Sequence, residues 1–134
     1  MKFNFVALGT GFVVSIVAIS VFDIVIFDLI LQNVQLPTTV ETFVYGSTAS
    51  LIAELLFIAS GLFLGGYVAA RIAKTRGLEH GLGVGILALI FTLVLAILGV
   101  VDSLSTVSVY DVAQWVITGV VVLSAASLGG RIGA

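Results

Sequence analysis

The sequence predicts an all-α fold, a polytopic membrane protein built as a bundle of four transmembrane helices with both termini on the cytoplasmic side. Three observations carry that reading: four long apolar runs, a very low charge content, and cations that can all be placed on one face. Of 134 residues, 60% are hydrophobic and 9% charged, against about 25% charged in soluble domains. A water-soluble domain of this size could not bury so much apolar surface. The runs fall near residues 3–31, 47–73, 78–101 and 112–134. Each meets the ~20 residues, rising 1.5 Å apiece, that a bilayer core requires. None alternates apolar and polar positions as barrel strands do, so helices are expected within a single membrane domain spanning residues 1–134.

The first run follows Lys2 and continues apolar to Leu31, beyond the length of a signal-peptide core, which reads as an uncleaved anchor. In the linker after it, Pro37 could open a short interfacial helix over residues 36–44 that lays Val40, Phe43 and Val44 on the lipid. Gly46 and Ser47 offer a turn and an N-cap for the second helix. Gly77 is expected to end that helix, with Arg71, Lys74 and Arg76 at the negative end of its dipole, and Glu79 suits the start of the third. Asp111 and Gln114 have capping-box spacing for the fourth helix. Tyr45, Tyr110 and Trp115 fall where an outer aromatic belt would lie.

Orientation follows from the charges. Lys2, Arg71, Lys74, Arg76 and Arg131 all fall on one face, which the positive-inside rule makes cytoplasmic, while the opposite linkers hold Glu41, Asp102 and Asp111 and no cation. The expected location is the cell membrane. With a formal charge of −2 and scattered cations, a nucleic-acid partner is excluded.

Close helix packing in lipid needs small residues, and the chain has them in rows. Gly61, Gly65, Ala69 and Ala73 form one edge of the second helix, with Gly66 and Ala70 beside it. Gly81 and Gly85 lead the third toward Ala88, Thr92 and Ala96. The fourth carries two edges, Ala125–Gly129–Gly133 and Ala126–Gly130–Ala134. These rows serve either packing within the chain or an interface with other chains, and they concentrate close contacts in the cytoplasmic half. Ser60, Leu64, Gly65 and Gly66 recur 64 residues later as Ser124, Leu128, Gly129 and Gly130, as a duplicated hairpin or shared packing demands would produce.

The stretch Gly65-Gly66-Tyr67-Val68-Ala69-Ala70-Arg71-Ile72-Ala73, followed by Gly77, His80, Gly81, Val84, Gly85 and Leu87, resembles a pattern in small uncharacterised four-helix membrane proteins of bacteria and archaea. Their last helix similarly ends in a Gly-Gly-x-x-Gly element, here Gly129 to Gly133. The resemblance covers the second to fourth helices. It implies the same four-span fold and brings no activity with it.

The chemically suspicious residues are acids inside the apolar runs, because an ionised Asp at a helix centre costs on the order of 3 kcal/mol on insertion scales. From the expected outer ends of their spans, Asp23 and Glu54 lie about 12 and 10 Å deep. Facing each other, they could share a proton or bind a cation, or they could make structural hydrogen bonds. Asp28 is five residues beyond Asp23, roughly 140° around the helix, and reads as an interfacial acid. If the span ends near Asp28, Asp23 is only about 7 Å deep.

The remaining signals point away from catalysis. Arg71, Lys74, Arg76 and His80 could hold an anionic lipid head group or could serve topology alone. With one His and no Cys, a metal site is not expected, and Gly81-x-Gly83-x-Gly85 lacks the strand that a nucleotide loop requires. Ser15, Ser20, Thr92 and Thr118 have no base beside them in sequence. No cofactor is expected and the protein is read as no enzyme. The expected function is a structural or accessory subunit, packing through its glycine-rich faces with other membrane subunits or as a homo-oligomer. The alternative is a small oligomeric proton or cation transporter using Asp23 and Glu54.

Overall fold

The computed structural model describes residues 4–25, 47–97 and 109–134. These form four helices, α1 Phe5–Phe22, α2 Ser47–Ala73, α3 Gly77–Ile97 and α4 Val109–Gly133. Each is long and apolar enough to cross a membrane, α1 with its extension to Val25. Lys2, Asp28, Tyr45 and the expected helix at 36–44 lie outside the described residues, as do the side chains of Tyr110 and Asp111.

α2 packs on all three other helices, as does α3, while α1 and α4 occupy opposite sides of that pair. Direction follows from which residues meet. Gly11 of α1 meets Gly65 and Ala69 of α2, and Gly61 meets Ser15 and Ile19, an antiparallel register. Gly129 and Gly133 of α4 meet Phe63 and Tyr67 of α2 in parallel. The bundle runs up, down, up, down. Asn4, the turn between α2 and α3, and Ala134 come together at one end, where Asn4 reaches His80 and Gly77 meets Gly130 and Ala134.

Burial is confined to that end. Ala7, Leu8, Leu62, Ala69, Ala70, Val84, Val122 and Ala126 form the core. No described residue in 16–25, 51–60, 86–97 or 112–121 is buried. The cause lies in the residue types. Glycine and alanine let backbones touch at one end, whereas Ile, Val, Leu and Phe hold them apart at the other. Rings bridge the wider spacing, Phe12 edge-on to Phe91 at 5.6 Å and Phe22 stacked on Phe57 at 6.0 Å.

The helix ends show how local chemistry sets the tight end. Asn4 caps α1, its side-chain oxygen accepting from the Ala7 N–H at 3.1 Å. α2 stops at Ala73, earlier than the expected stop at Gly77, and Lys74 takes the left-handed position with φ 58°. Its N–H donates to the Ala70 carbonyl at 2.9 Å. Arg76 is also left-handed, with φ 52°. Gly77 opens α3, where a Cβ would overlap the Gly130 carbonyl, so close approach rather than a left-handed backbone requires glycine there.

A left-handed non-glycine residue costs about 1 kcal/mol or more. Lys74→Gly is therefore expected to stabilise the protein by about 0.5–1 kcal/mol, after allowance for the freer unfolded chain. Thermal unfolding in a neutral detergent checks this, and an unchanged or lower midpoint would contradict the strained turn.

Candidate functional site

The glycine rows are used inside the chain. Gly61 and Gly65 receive α1, a Cβ at Gly65 meeting Ser15 and the Gly11 backbone. Gly66 meets the Ala126 carbonyl of α4, and Gly81 meets the same carbonyl from α3. A Cβ at Gly85 would lie 3.3 Å from the Ala126 methyl. The two edges of α4 thus seat two neighbours, Gly129 and Gly133 against α2, and Ala126 and Gly130 against α3. Ala126 is fully buried at their junction. Matched positions of the 64-residue repeat do not make matched contacts. Gly65 faces the preceding helix α1, but its counterpart Gly129 faces α2 and leaves α3 to Gly130. Shared packing demands account for the match better than equivalent hairpins do.

Asp23 and Glu54 stand near one level at the open end. The stacked pair Phe22–Phe57 sets that level. Asp23 is one residue farther along α1, about 1.5 Å outward, and Glu54 is three residues back along α2, about 4.5 Å outward. α1 ends at Phe22, so Asp23 is its C-cap, its N–H directed to the Ile19 and Ser20 carbonyls. It is followed by a short wider turn through Val25. Glu54 lies seven residues before Gly61 and eleven before Gly65, on the stripe of α2 that faces α1. Both acids are exposed, and among the described residues neither carboxylate makes a hydrogen bond or ion pair. Side chains lean toward the start of their own helix, so in this antiparallel pair the carboxylates lean apart along the axis. Asp28 lies outside the described residues.

Arg71, Lys74, Arg76 and His80 divide into separate environments at the tight end. His80 is 3% exposed. One ring nitrogen, Nδ1, lies 3.0 Å from the Arg76 carbonyl, and Nε2 lies 3.4 Å from the Asn4 backbone N–H. Donation from Nδ1–H and acceptance at Nε2 satisfy both contacts with a neutral ring. His80 therefore joins the start of α1 to α3 and is not on the surface with the cations. Arg76 pairs with Glu79 at 3.2 Å, a half-exposed contact of small energetic weight. Arg71 donates from Nε to the Tyr67 hydroxyl at 3.1 Å, with its guanidinium 5.4 Å from the centre of that ring. Lys74, three residues farther on, is exposed.

Sequence reasoning missed the role of His80 as a link between helices. Its only signal was a lone histidine among residues of a close-packed turn. Ser15 is the other buried polar side chain among the described residues, and its hydroxyl donates to the Gly11 carbonyl at 3.0 Å. Among the described residues, no group of three metal-ligating side chains gathers.

The described residues form an all-helical bundle of four helices, each long and apolar enough to cross a membrane, packed closely at one end. Comparison with known proteins returns no matching family model, no matching curated protein and no matching solved structure.

Proposed function

We propose that this chain is a non-enzymatic structural or accessory subunit of a membrane assembly, sitting in the cell membrane with both termini cytoplasmic. The observation that carries the reading is the open end. Its four helix halves bury nothing among the described residues, and two carboxylates stand on that apolar surface. Because the glycine rows are already occupied within the chain, the surface left for another membrane chain is this outer half. A partner there would cover Ile52, Leu56, Trp115 and Val116, each more than half exposed. It would also give Asp23 and Glu54 polar company that lipid does not supply. The orientation rests on Arg71, Lys74, Arg76 and Arg131 gathering at the tight end. The likeness to small four-helix membrane proteins agrees with the fold and adds no activity.

Isolation of the tagged chain in mild detergent tests the reading. One or more unrelated membrane chains should accompany it in fixed ratio, and Glu54→Gln with Asp23→Asn should reduce their recovery several-fold. A homogeneous species of this chain alone would refute the accessory role.

The near-common level of Asp23 and Glu54 supports a second reading, a small oligomeric proton or cation transporter. A pathway along the monomer axis has little to line it, since Ser15 and His80 are the buried polar side chains among the described residues. Transport would therefore run between copies. In reconstituted vesicles the same double substitution should abolish flux if this second reading holds, and unchanged flux would end it.

A further inference from the structure

We infer that the groove between α2 and α4 is a binding site for an anionic phospholipid, whose acyl chain lies in the groove and whose phosphate is held by Arg71 and Lys74. This goes beyond the subunit role and rests on the membrane reading of the bundle. The groove is lined by Ala59, Ser60, Phe63, Leu64, Ala125 and Leu128. Ser60, the polar member, turns its hydroxyl back to the Leu56 carbonyl at 2.8 Å, so the groove presents hydrocarbon to an occupant. Ser60, Leu64, Tyr67 and Arg71 succeed one another at intervals of three or four residues, which places them along one face of α2, and Lys74 follows in the turn just after the helix. From Leu64 to Arg71 the helix rises about 10 Å, the direction and order in which a lipid passes from chain to head group.

The head-group end is built to present charge. Tyr67 holds Nε of Arg71 and underlies its guanidinium, leaving the two terminal nitrogens for a phosphate. Lys74, in its left-handed turn position just past the end of α2, is three residues beyond Arg71 and is exposed. The other two sequence candidates drop out on geometry, because Arg76 is paired with Glu79 and His80 is buried. Charge also decides against a second copy of this chain in the groove. Two copies related by an axis along the membrane normal would set Arg71 and Lys74 against their own equivalents, whereas an anionic head group neutralises them.

Native mass spectrometry of the full chain in detergent, titrated with phosphatidylglycerol or phosphatidylcholine, tests the site. The unaltered protein should retain phosphatidylglycerol preferentially. Each of Arg71→Gln and Lys74→Gln should weaken that retention about five-fold, and the pair roughly thirty-fold. Arg76→Gln should leave it unchanged. Ala125→Phe, which fills the groove and keeps every charge, should also lose the lipid. Equal retention of the two lipids, or full retention by the double variant or by Ala125→Phe, would overturn the proposal. The chain has no cysteine, so single-cysteine labelling from either side of a vesicle checks that the variants keep their insertion. Failure of the unaltered chain to insert would refute the membrane reading itself, whereas insertion without lipid preference would refute this site alone.

Discussion

Gly66→Ala or Gly129→Ala should destabilise the bundle by about 3 kcal/mol or more, the upper range for overpacking a close-packed site. The added methyl at residue 66 would run into the Ala126 backbone, and that at 129 into the Phe63 backbone. A side chain could rotate away, but a carbonyl held inside a helix cannot. Relief therefore requires α2 and α4 to separate, and that movement also disturbs α3 at Gly81, which rests on the same Ala126 carbonyl. Gly9→Ala and Gly119→Ala supply the contrast. A Cβ at either position meets nothing within 4 Å, so these changes should be neutral or stabilising by up to about 1 kcal/mol through helix propensity. Reversible unfolding in mixed micelles reads all four. Equal stability of Gly66→Ala and Gly119→Ala would mean that α2 and α4 do not approach backbone to backbone.

His80→Ala carries the second large expected effect, a loss of about 2–4 kcal/mol. It combines a buried cavity with an Asn4 N–H deprived of its ring acceptor. The damage should be directional. Amide exchange in the first turns of α1 should accelerate more than exchange in α4, because His80 ties Asn4 to α3. His80→Gln, which retains a donor and an acceptor, should recover part of the loss. Uniform acceleration through all four helices would show that the histidine fills space without linking α1 to α3.

Much of the architecture was legible because a bilayer imposes strong rules on composition and length. The apolar run over residues 47–73 coincides with α2, and the small residues of α4 marked its contact edges. The turn was misread in one respect. Glycine is the usual left-handed residue, so Gly77 was the natural stop, yet Lys74 and Arg76 adopt that conformation. Gly77 instead answers to the Gly130 carbonyl 53 positions away in sequence, a contact no local pattern contains. At Asp23 the regular α-helix gives way to a wider turn through Val25, a change that the apolar run past Phe22 does not signal.

The acids show where periodicity helps and where it stops. Spacing puts Glu54 on the same stripe as Gly61 and Gly65. It does not say that the stripe faces α1. The basic cluster was likewise visible as four nearby residues, but its division into a buried helix link, an ion pair and an exposed Arg71–Lys74 face depends on tertiary contacts.

The sequence by itself determined that four apolar helices form and which edges are small enough for close approach, because apolarity, span length and side-chain size are properties of the chain read in order. Tertiary structure alone decided that these edges are consumed within the chain, that the bundle closes at one end, and that His80 lies inside while Arg71 and Lys74 remain outside. Those outcomes depend on which helix meets which and at what register, set by contacts between residues distant along the chain.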